Sequence, residues 1–336
     1  MNCNCSYHRR NPLAWLDAER KPITIVGGFL GSGKTTLVNH LLASASEDEH
    51  IAVLVREFGD ISIDDQIIKA ANSQVHTYFG YTMHDDPLLL FYDYLLRIYE
   101  ESYSPSGAKR FDRLIMENSG AEDPERMLLL LFDEDMRDAY SLGSYIGIVD
   151  AQYGMLNFSQ FKTARKQIAM ADIILLNKTD LAQPQDISEL ESCIKKLNPI
   201  AKIIPCSYAS VDPDKLFDVD WYEQMSPITF GGETQMDEIK TVTVVEKRPM
   251  DKEKVNRWIT ELFSRYGEDL LRSKGFFCFA GEDYRYEFQG VRANFNSKAD
   301  KLWSEEDDRR SVVVLIGEQL PEYCELQRSF SECAAE

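Results

Sequence analysis

The chain has 336 residues, 44% hydrophobic and 28% charged, with a formal net charge of −19. That is the composition of a soluble globular protein long enough for two domains, and its acidity argues against binding nucleic acid or an anionic membrane, which needs a basic surface. No apolar run reaches the length of a membrane-spanning helix, and MNCNCSYHRRNPLAWLDAERK holds no signal-like apolar segment, so a cytoplasmic location is expected.

KPITIVGGFLGSGKTTLVNHLLAS predicts a short strand over 23–26, a Gly-rich turn and a helix from about Gly33. IAVLVREF (51–58) is a second strand, apolar without alternation, as in a parallel strand covered on both faces. DPLLLFYDYLLRIYEES (86–102) has helical spacing, FDRLIMENSG (111–120) reads as strand then turn, and MLLLLF (127–132) suits a buried helical turn or strand. SYIGIVDA (144–151) and ADIILLNKTD (171–180) are further strands, DISELESCIKKLNP (186–199) is a helix stopped by Pro199, and AKIIPCS (201–207) is a sixth strand. Strands alternating with helices predict an α/β fold with a mostly parallel sheet of six or seven strands. Residues 213–239 read as a linker, acidic and rich in turn residues. Beyond it, KTVTVVEKR (240–248) is a strand and 251–270 an amphipathic helix capped by Asp251. A hairpin turning at Gly281–Asp283 and the strand RRSVVVLIG (309–317) complete a small α+β domain over 240–322. Segments 1–21 and 323–336 are read as tails. The seven cysteines are expected to be reduced thiols, with Cys193, Cys206 and Cys278 in apolar patterns that suit a core.

GFLGSGKT, Gly28 to Thr35, fits the phosphate-loop pattern and stands between a strand and a helix, as that motif requires. Glycines let backbone N–H groups turn towards phosphate, and the helix presents its positive end to the anion. Gly31, Ser32, Gly33, Lys34, Thr35 and Thr36 are the expected phosphate contacts. Lys34 would neutralise β- and γ-phosphate charge, and the Thr35 hydroxyl would be a Mg²⁺ ligand. Asn177-Lys178-Thr179-Asp180 follows a strand some 140 residues further on, where P-loop GTPases read guanine. A carboxylate at Asp180 would accept from the base N1–H and amine, and adenine would leave it unpaired. Glu117 ends a strand at the Walker B position, suited to hold Mg²⁺ through water and to help place the attacking water, and Gly120 leaves room for an N–H at the γ-phosphate. REFGDISIDDQII (56–68) lies where switch I belongs; Glu57 is its candidate catalytic residue, with Asp60, Asp64 and Asp65 either in the Mg²⁺ shell or on a solvated loop.

These motifs, GGFLGSGKTTL, EFG followed by I-D, E-x-S-G ahead of D-P, and NKTD, resemble the CobW-type P-loop GTPases, relatives of the metallochaperones of urease and hydrogenase maturation. KGFF (274–277), FQGVR (288–292), Trp303 and SVVVLIG (311–317) are similar to that family's C-terminal domain. The resemblance implies a cytoplasmic enzyme that hydrolyses GTP with Mg²⁺ and helps deliver zinc, cobalt or nickel to a client metalloprotein or cofactor-assembly protein. A nucleotide-dependent homodimer is in keeping with the class. No residue reads as an arginine finger, so hydrolysis is expected to be slow without a partner.

One departure stands out. Where the family carries Gly-Cys-x-Cys-Cys, this chain has Gly80-Tyr81-Thr82-Met83-His84, and no cysteine lies between residues 6 and 192. Two readings follow. His84 and Met83, with His76 and an acidic residue such as Glu57 or Asp85, form a thiolate-free metal site, or the site is lost and the loop serves packing or a protein contact. Cys3-x-Cys5, with His8, is a second candidate soft pair, set against a tail with incidental cysteines. The rival function is a GTP-dependent regulatory or assembly switch that acts on a partner without binding a transition metal.

Overall fold

The structure is a computed structural model that describes residues 20–46, 48–57, 73–79, 87–102, 109–217, 225 and 227–336. Seven strands form the first sheet: β1 (Lys21–Gly28), β2 (Ile51–Glu57), β3 (Ser73–Phe79), β4 (Arg113–Glu117), β5 (Tyr140–Asp150), β6 (Ile173–Asn177) and β7 (Lys202–Pro205). Their order is β3-β2-β4-β1-β5-β6-β7, and every pairing is parallel. The unbroken apolar runs have their reason here, since alternate residues enter two cores. Ala52, Leu54, Ile174 and Leu176 face one side, and Val53, Val55, Ile173 and Leu175 the other.

Helix α1 (Lys34–Ser44) covers the second face with Leu37, Val38, Leu41 and Leu42. The first face takes α2 (Pro87–Glu101), α3 (Pro124–Leu130), α4 (Glu134–Ala139), α5 (Gly154–Gln160), α6 (Lys162–Met170) and α7 (Pro184–Leu197), anchored by Phe91, Leu95, Met127, Phe158, Ile168 and Ile194. The apolar 127–132 run falls mostly in α3, whose N-cap Asp123 accepts from the Glu125 N–H. Strand β3 and helices α5 and α6 are elements that the sequence patterns do not announce.

After the short α8 (Asp214–Phe217), β8 (Gly232–Met236) opens a six-stranded antiparallel sheet completed by β9 (Ile239–Glu246), β10 (Leu270–Cys278), β11 (Tyr284–Val291), β12 (Asn294–Leu302) and β13 (Ser311–Gly317). Its order is β12-β11-β10-β13-β9-β8. The expected hairpin is β10–β11, and the expected helix is α9 (Lys252–Tyr266), capped by Asp251. Two expectations need correction. The end of the 213–239 linker is strand β8, and the 323–336 tail contains α10 (Tyr323–Ser331), which buries Leu326 and Phe330, with Cys333 buried just beyond it. These segments look polar because each meets the domain through only a few side chains.

The second sheet is covered on both faces. Phe277, Phe288, Val313 and Leu315 pack with Trp258, Leu262 and Phe263 of α9 and with Phe330, while Leu271, Phe276, Val312 and Val314 join the core of the first domain. Within that apolar junction lies an ion cluster. Asp172 accepts from Arg272 Nη2 at 2.9 Å and lies 2.5 Å from Lys274 Nζ, and its other oxygen accepts from the Tyr145 N–H at 2.8 Å. All three charged side chains are buried. Burial opposes ionisation of Asp172, but Arg272 and Lys274 together hold its carboxyl below the usual range. Burial drives Lys274 down to about 7, against the pull of Asp172.

From about pH 7 upwards the folded chain has released a proton that the unfolded lysine keeps until near its ordinary value, so stability rises with pH across that window. Lys274→Met keeps the Arg272–Asp172 pair and should lose this rise. Melting temperatures from about pH 6.5 to 9.5 check it, and an unchanged slope in the variant would exclude a neutral Lys274.

Candidate functional site

Strand β1 ends between β4 and β5, with Val26 opposite Glu117 and Gly28 opposite Ile148. The chain then turns through the phosphate loop, where the Ser32 N–H donates to Phe29 O at 3.2 Å. Gly31 and Gly33 take φ of 74° and 112°, a region in which a side chain is strained. Helix α1 opens at Lys34 without a side-chain cap, which leaves its first N–H groups for a bound anion. Lys34 Nζ folds back over the loop and donates to Gly28 O at 3.1 Å and Phe29 O at 3.3 Å. Ser32 is buried, whereas Gly31 and Thr36 are exposed.

The Thr35 hydroxyl donates to Glu117 Oε1 at 2.8 Å, and Glu117 is 4% exposed at the end of β4. A hydroxyl and a carboxylate beside a phosphate cradle are hard oxygen donors, and they fit Mg²⁺. Gly120 lies directly against the loop, where a Cβ would stand 2.9 Å from Lys34 Nζ and 2.8 Å from the Leu30 nitrogen. The backbone of Glu57 ends β2 two residues beyond Val55, which is the residue opposite Glu117, so it projects past the Walker B position towards the nucleotide edge.

The residues of the Asn177–Asp180 motif have different partners. Asn177 closes β6 buried, donates from Nδ2 to Ser32 O at 2.9 Å and accepts on Oδ1 from the Ala209 N–H at 2.8 Å. Both ends of this side chain therefore hold protein backbone, tying the 177–180 turn to the phosphate loop. Lys178 has φ of 62° and gives its ammonium to Gly31 O at 2.8 Å and Asp150 Oδ2 at 2.7 Å. Thr179 Oγ1 donates to Cys206 O at 3.0 Å, and Asp180 stands exposed on the short turn that follows.

Several residues of this site escape a reading by motif. Asp150, buried at the end of β5, accepts from the N–H groups of Gln152 and Tyr153 and from Lys178. Arg56, next to Glu57, meets Glu122 at 2.5 Å and lies over the Phe91 ring at 4.3 Å from its centroid. Burial raises the Glu122 carboxyl above its usual range, against the pull of Arg56. Gln167 donates to the carbonyls of Gly120 and Glu122. Charged residues flanking REF and SGAEDP were the one available sign.

The candidate transition-metal residues Cys3, Cys5, Met83 and His84, with His8, Asp85 and the aspartates at 60, 64 and 65, lie outside the described residues. His76 is described, and it stands within β3 opposite Leu54. Glu57 pairs three residues further along β2, opposite Phe79. Burial lowers the His76 pKa, with Glu101 opposing. Among the described residues no group of three or more His, Cys, Asp or Glu is placed to hold a metal ion, and no helix is long and apolar enough to cross a membrane.

The CobW/HypB/UreG nucleotide-binding domain matches residues 22–205, and the cobalamin synthesis protein CobW C-terminal domain matches residues 239–334. The chain belongs to the CobW family. It is 31% identical over 308 residues to the zinc chaperone YjiA of Escherichia coli, an alignment covering 89% of this chain and 95% of that one. It is also 26% identical to the zinc chaperone CobW of Pseudomonas aeruginosa, over 89% of this chain and 88% of the relative. The crystal structure of Zn(II)-bound YjiA GTPase superposes with a TM-score of 0.69 at 28% identity, over 94% of this chain and all of that one. This CobW-family chain thus carries the family's P-loop GTPase domain and its antiparallel C-terminal domain, as the sequence motifs implied.

Two substitutions separate the parts of the pocket. Gly120→Ala places a methyl group against Lys34 and the loop backbone, so GTP hydrolysis should fall by on the order of tenfold or more while GDP binding is largely kept. Single-turnover hydrolysis with a GDP titration checks it. Asp180→Ala should erase the preference for guanine nucleotides over adenine nucleotides, measured by competition, while leaving the phosphate loop intact.

Proposed function

We propose that this protein is a nucleotide-gated metallochaperone whose GTPase cycle controls handover of a transition-metal ion to a client metalloprotein. The observation that carries the reading is likeness through both domains, not the P-loop alone, to the zinc chaperone YjiA. In this reading the metal is cargo, and Mg²⁺ is the resident partner of GTP.

Thr35 and Glu117, joined at 2.8 Å, are the residues that would hold Mg²⁺ beside the β- and γ-phosphates, the carboxylate through water. When bound there, Mg²⁺ would supply positive charge to offset that of the phosphates. Lys34 swings from the carbonyls of Gly28 and Phe29 onto phosphate oxygens, a short reorientation that exchanges neutral acceptors for charged ones. The Gly120 N–H meets the γ-phosphate, and Glu57, at the root of the switch segment, orients the attacking water. Asp180 accepts from guanine, while Asn177 and Lys178 keep that turn in register with the phosphate loop. The protein works in the cytoplasm, and a nucleotide-dependent homodimer is part of this proposal.

A second reading has its own support. Tyr81, Met83 and His84 stand where the family's cysteines belong, so soft thiolate ligands are replaced by a phenol, a thioether and an imidazole. A GTP-dependent switch acting on a partner, without cargo, fits that replacement. Titration with Zn²⁺ and Co²⁺, with GDP or a non-hydrolysable GTP analogue, separates the two. Metallochaperone action predicts binding that changes with nucleotide and is lost in His84→Ala or in the Cys3→Ser, Cys5→Ser double variant. Absence of binding in both nucleotide states would overturn direct carriage of metal.

A further inference from the structure

The turn after Gly120 carries three carboxylates within four residues, Glu122, Asp123 and Glu125, and each is held by a cation from a different direction. Glu122 meets Arg56 from the end of β2 at 2.5 Å. Lys166 of α6 donates to Asp123 at 2.8 Å and to Glu125 at 3.1 Å. Glu125 also receives Arg292 Nη2 at 2.5 Å, and Arg292 belongs to the other domain. The backbone of the turn is gripped as well, by the Gln167 amide on the carbonyls of Gly120 and Glu122. This segment is the one whose glycine abuts Lys34 Nζ.

Arg292 is placed for this contact at some cost. It forms, with Ala293, the two-residue connection of the β11–β12 hairpin, where Val291 pairs with Asn294. Its φ is 51°, a backbone region that non-glycine residues rarely occupy, and strain of about 1 kcal/mol is usual there. The hairpin tip is packed tightly, since a Cβ at Gly267, just after α9, would come within 2.8 Å of Ala293 Cβ. Glu125 and Arg292 are both mostly buried, so water screens the pair weakly. A rigid hairpin of the C-terminal domain thus grips the turn that follows the γ-phosphate glycine, and the turn's other end grips the root of the switch segment.

We propose that Arg292 of the C-terminal domain is a positioning residue for GTP hydrolysis, fixing the Gly120–Glu125 turn through Glu125 so that C-terminal docking and γ-phosphate contact are read by one element. The proposal rests on the GTPase function of the first domain. Its thermodynamic corollary is that GTP, by ordering the turn, tightens the grip on the hairpin by the same factor that the hairpin adds to GTP binding in the ordered state.

The test uses the full chain with GTP and Mg²⁺ under single-turnover conditions, alongside GDP affinity and melting temperature. Arg292→Ala should slow hydrolysis about tenfold with GDP affinity within about twofold, as expected for loss of a partly buried charge-assisted contact outside the nucleotide itself. Arg292→Lys should recover part of the rate. Adding Arg292→Ala to Glu125→Gln should cost little beyond Glu125→Gln alone, because both remove one contact. Lys162→Ala is the control, since Lys162 bridges the domains to Glu318 at 3.1 Å without touching the turn, and it should leave the rate unchanged. A wild-type rate in Arg292→Ala, an equal loss in Lys162→Ala, or fully multiplicative losses in the double variant would each overturn the positioning role. A wild-type chain that does not hydrolyse GTP at all would overturn the GTPase reading first, and this role with it.

Discussion

Seven strands running parallel share one carboxyl edge, and everything in the nucleotide pocket hangs from that edge. Parallel pairing places the ends of β1, β4, β5 and β6 side by side, with Val26 opposite Glu117 and Asp150 opposite Asn177. A cradle that needs N–H groups, a cation, a hydroxyl and two carboxylates within a few ångströms can then be drawn from segments far apart in the chain. The cross-links at that edge, Asn177 to Ser32 and Lys178 to Gly31, hold its two halves against each other. They make the Asn177–Asp180 turn and the phosphate loop one body.

The same sheet sets how the second domain docks. Helices α6 and α7 present an apolar layer on one face, and the C-terminal sheet lays Leu271, Phe276, Val312 and Val314 against it. Such a shared core resists hinge motion more than the polar contacts usual between domains. The buried cluster at Asp172 carries a desolvation cost that its partners must offset, and Arg272 is the cation that remains once Lys274 has released its proton. A nucleotide signal is therefore more easily carried by the small polar turn at 120–125 than by sliding of the apolar faces.

The phosphate-loop and NKTD motifs stand beside a segment, Gly80 to His84, that lacks the family's cysteines, and this has a chemical consequence. Thiolates bind zinc tightly and at almost any pH above their lowered pKa, whereas an imidazole binds only when neutral and a thioether prefers softer ions. This chain carries Lys34, Thr35, Glu117 and the Asn177–Asp180 motif but has Met83 and His84 where the family's cysteines belong, so metal ligation at that position would rest on a thioether and an imidazole in place of thiolates.

Much of this protein is legible in its residues. The phosphate loop and NKTD are short, contiguous and chemically demanding, and uninterrupted apolar runs announce parallel strands. The identity of the pocket and the α/β class follow from these local signals alone. Strand β3 and helices α5 and α6 were hidden because their polar residues mask the apolar ones, and α10 because it buries few side chains. What only the tertiary structure decided are the pairings across long sequence separations. Arg56 reaches Glu122 across 66 residues, Asn177 reaches Ser32 across 145, and Arg292 reaches Glu125 across 167. No local pattern encodes such a contact, because each arises where two independently formed elements are brought together by sheet order and by the apolar junction of the domains. The phosphate-loop and NKTD motifs are therefore written in the sequence, while the residues that hold those motifs in place exist as neighbours only once the chain has folded.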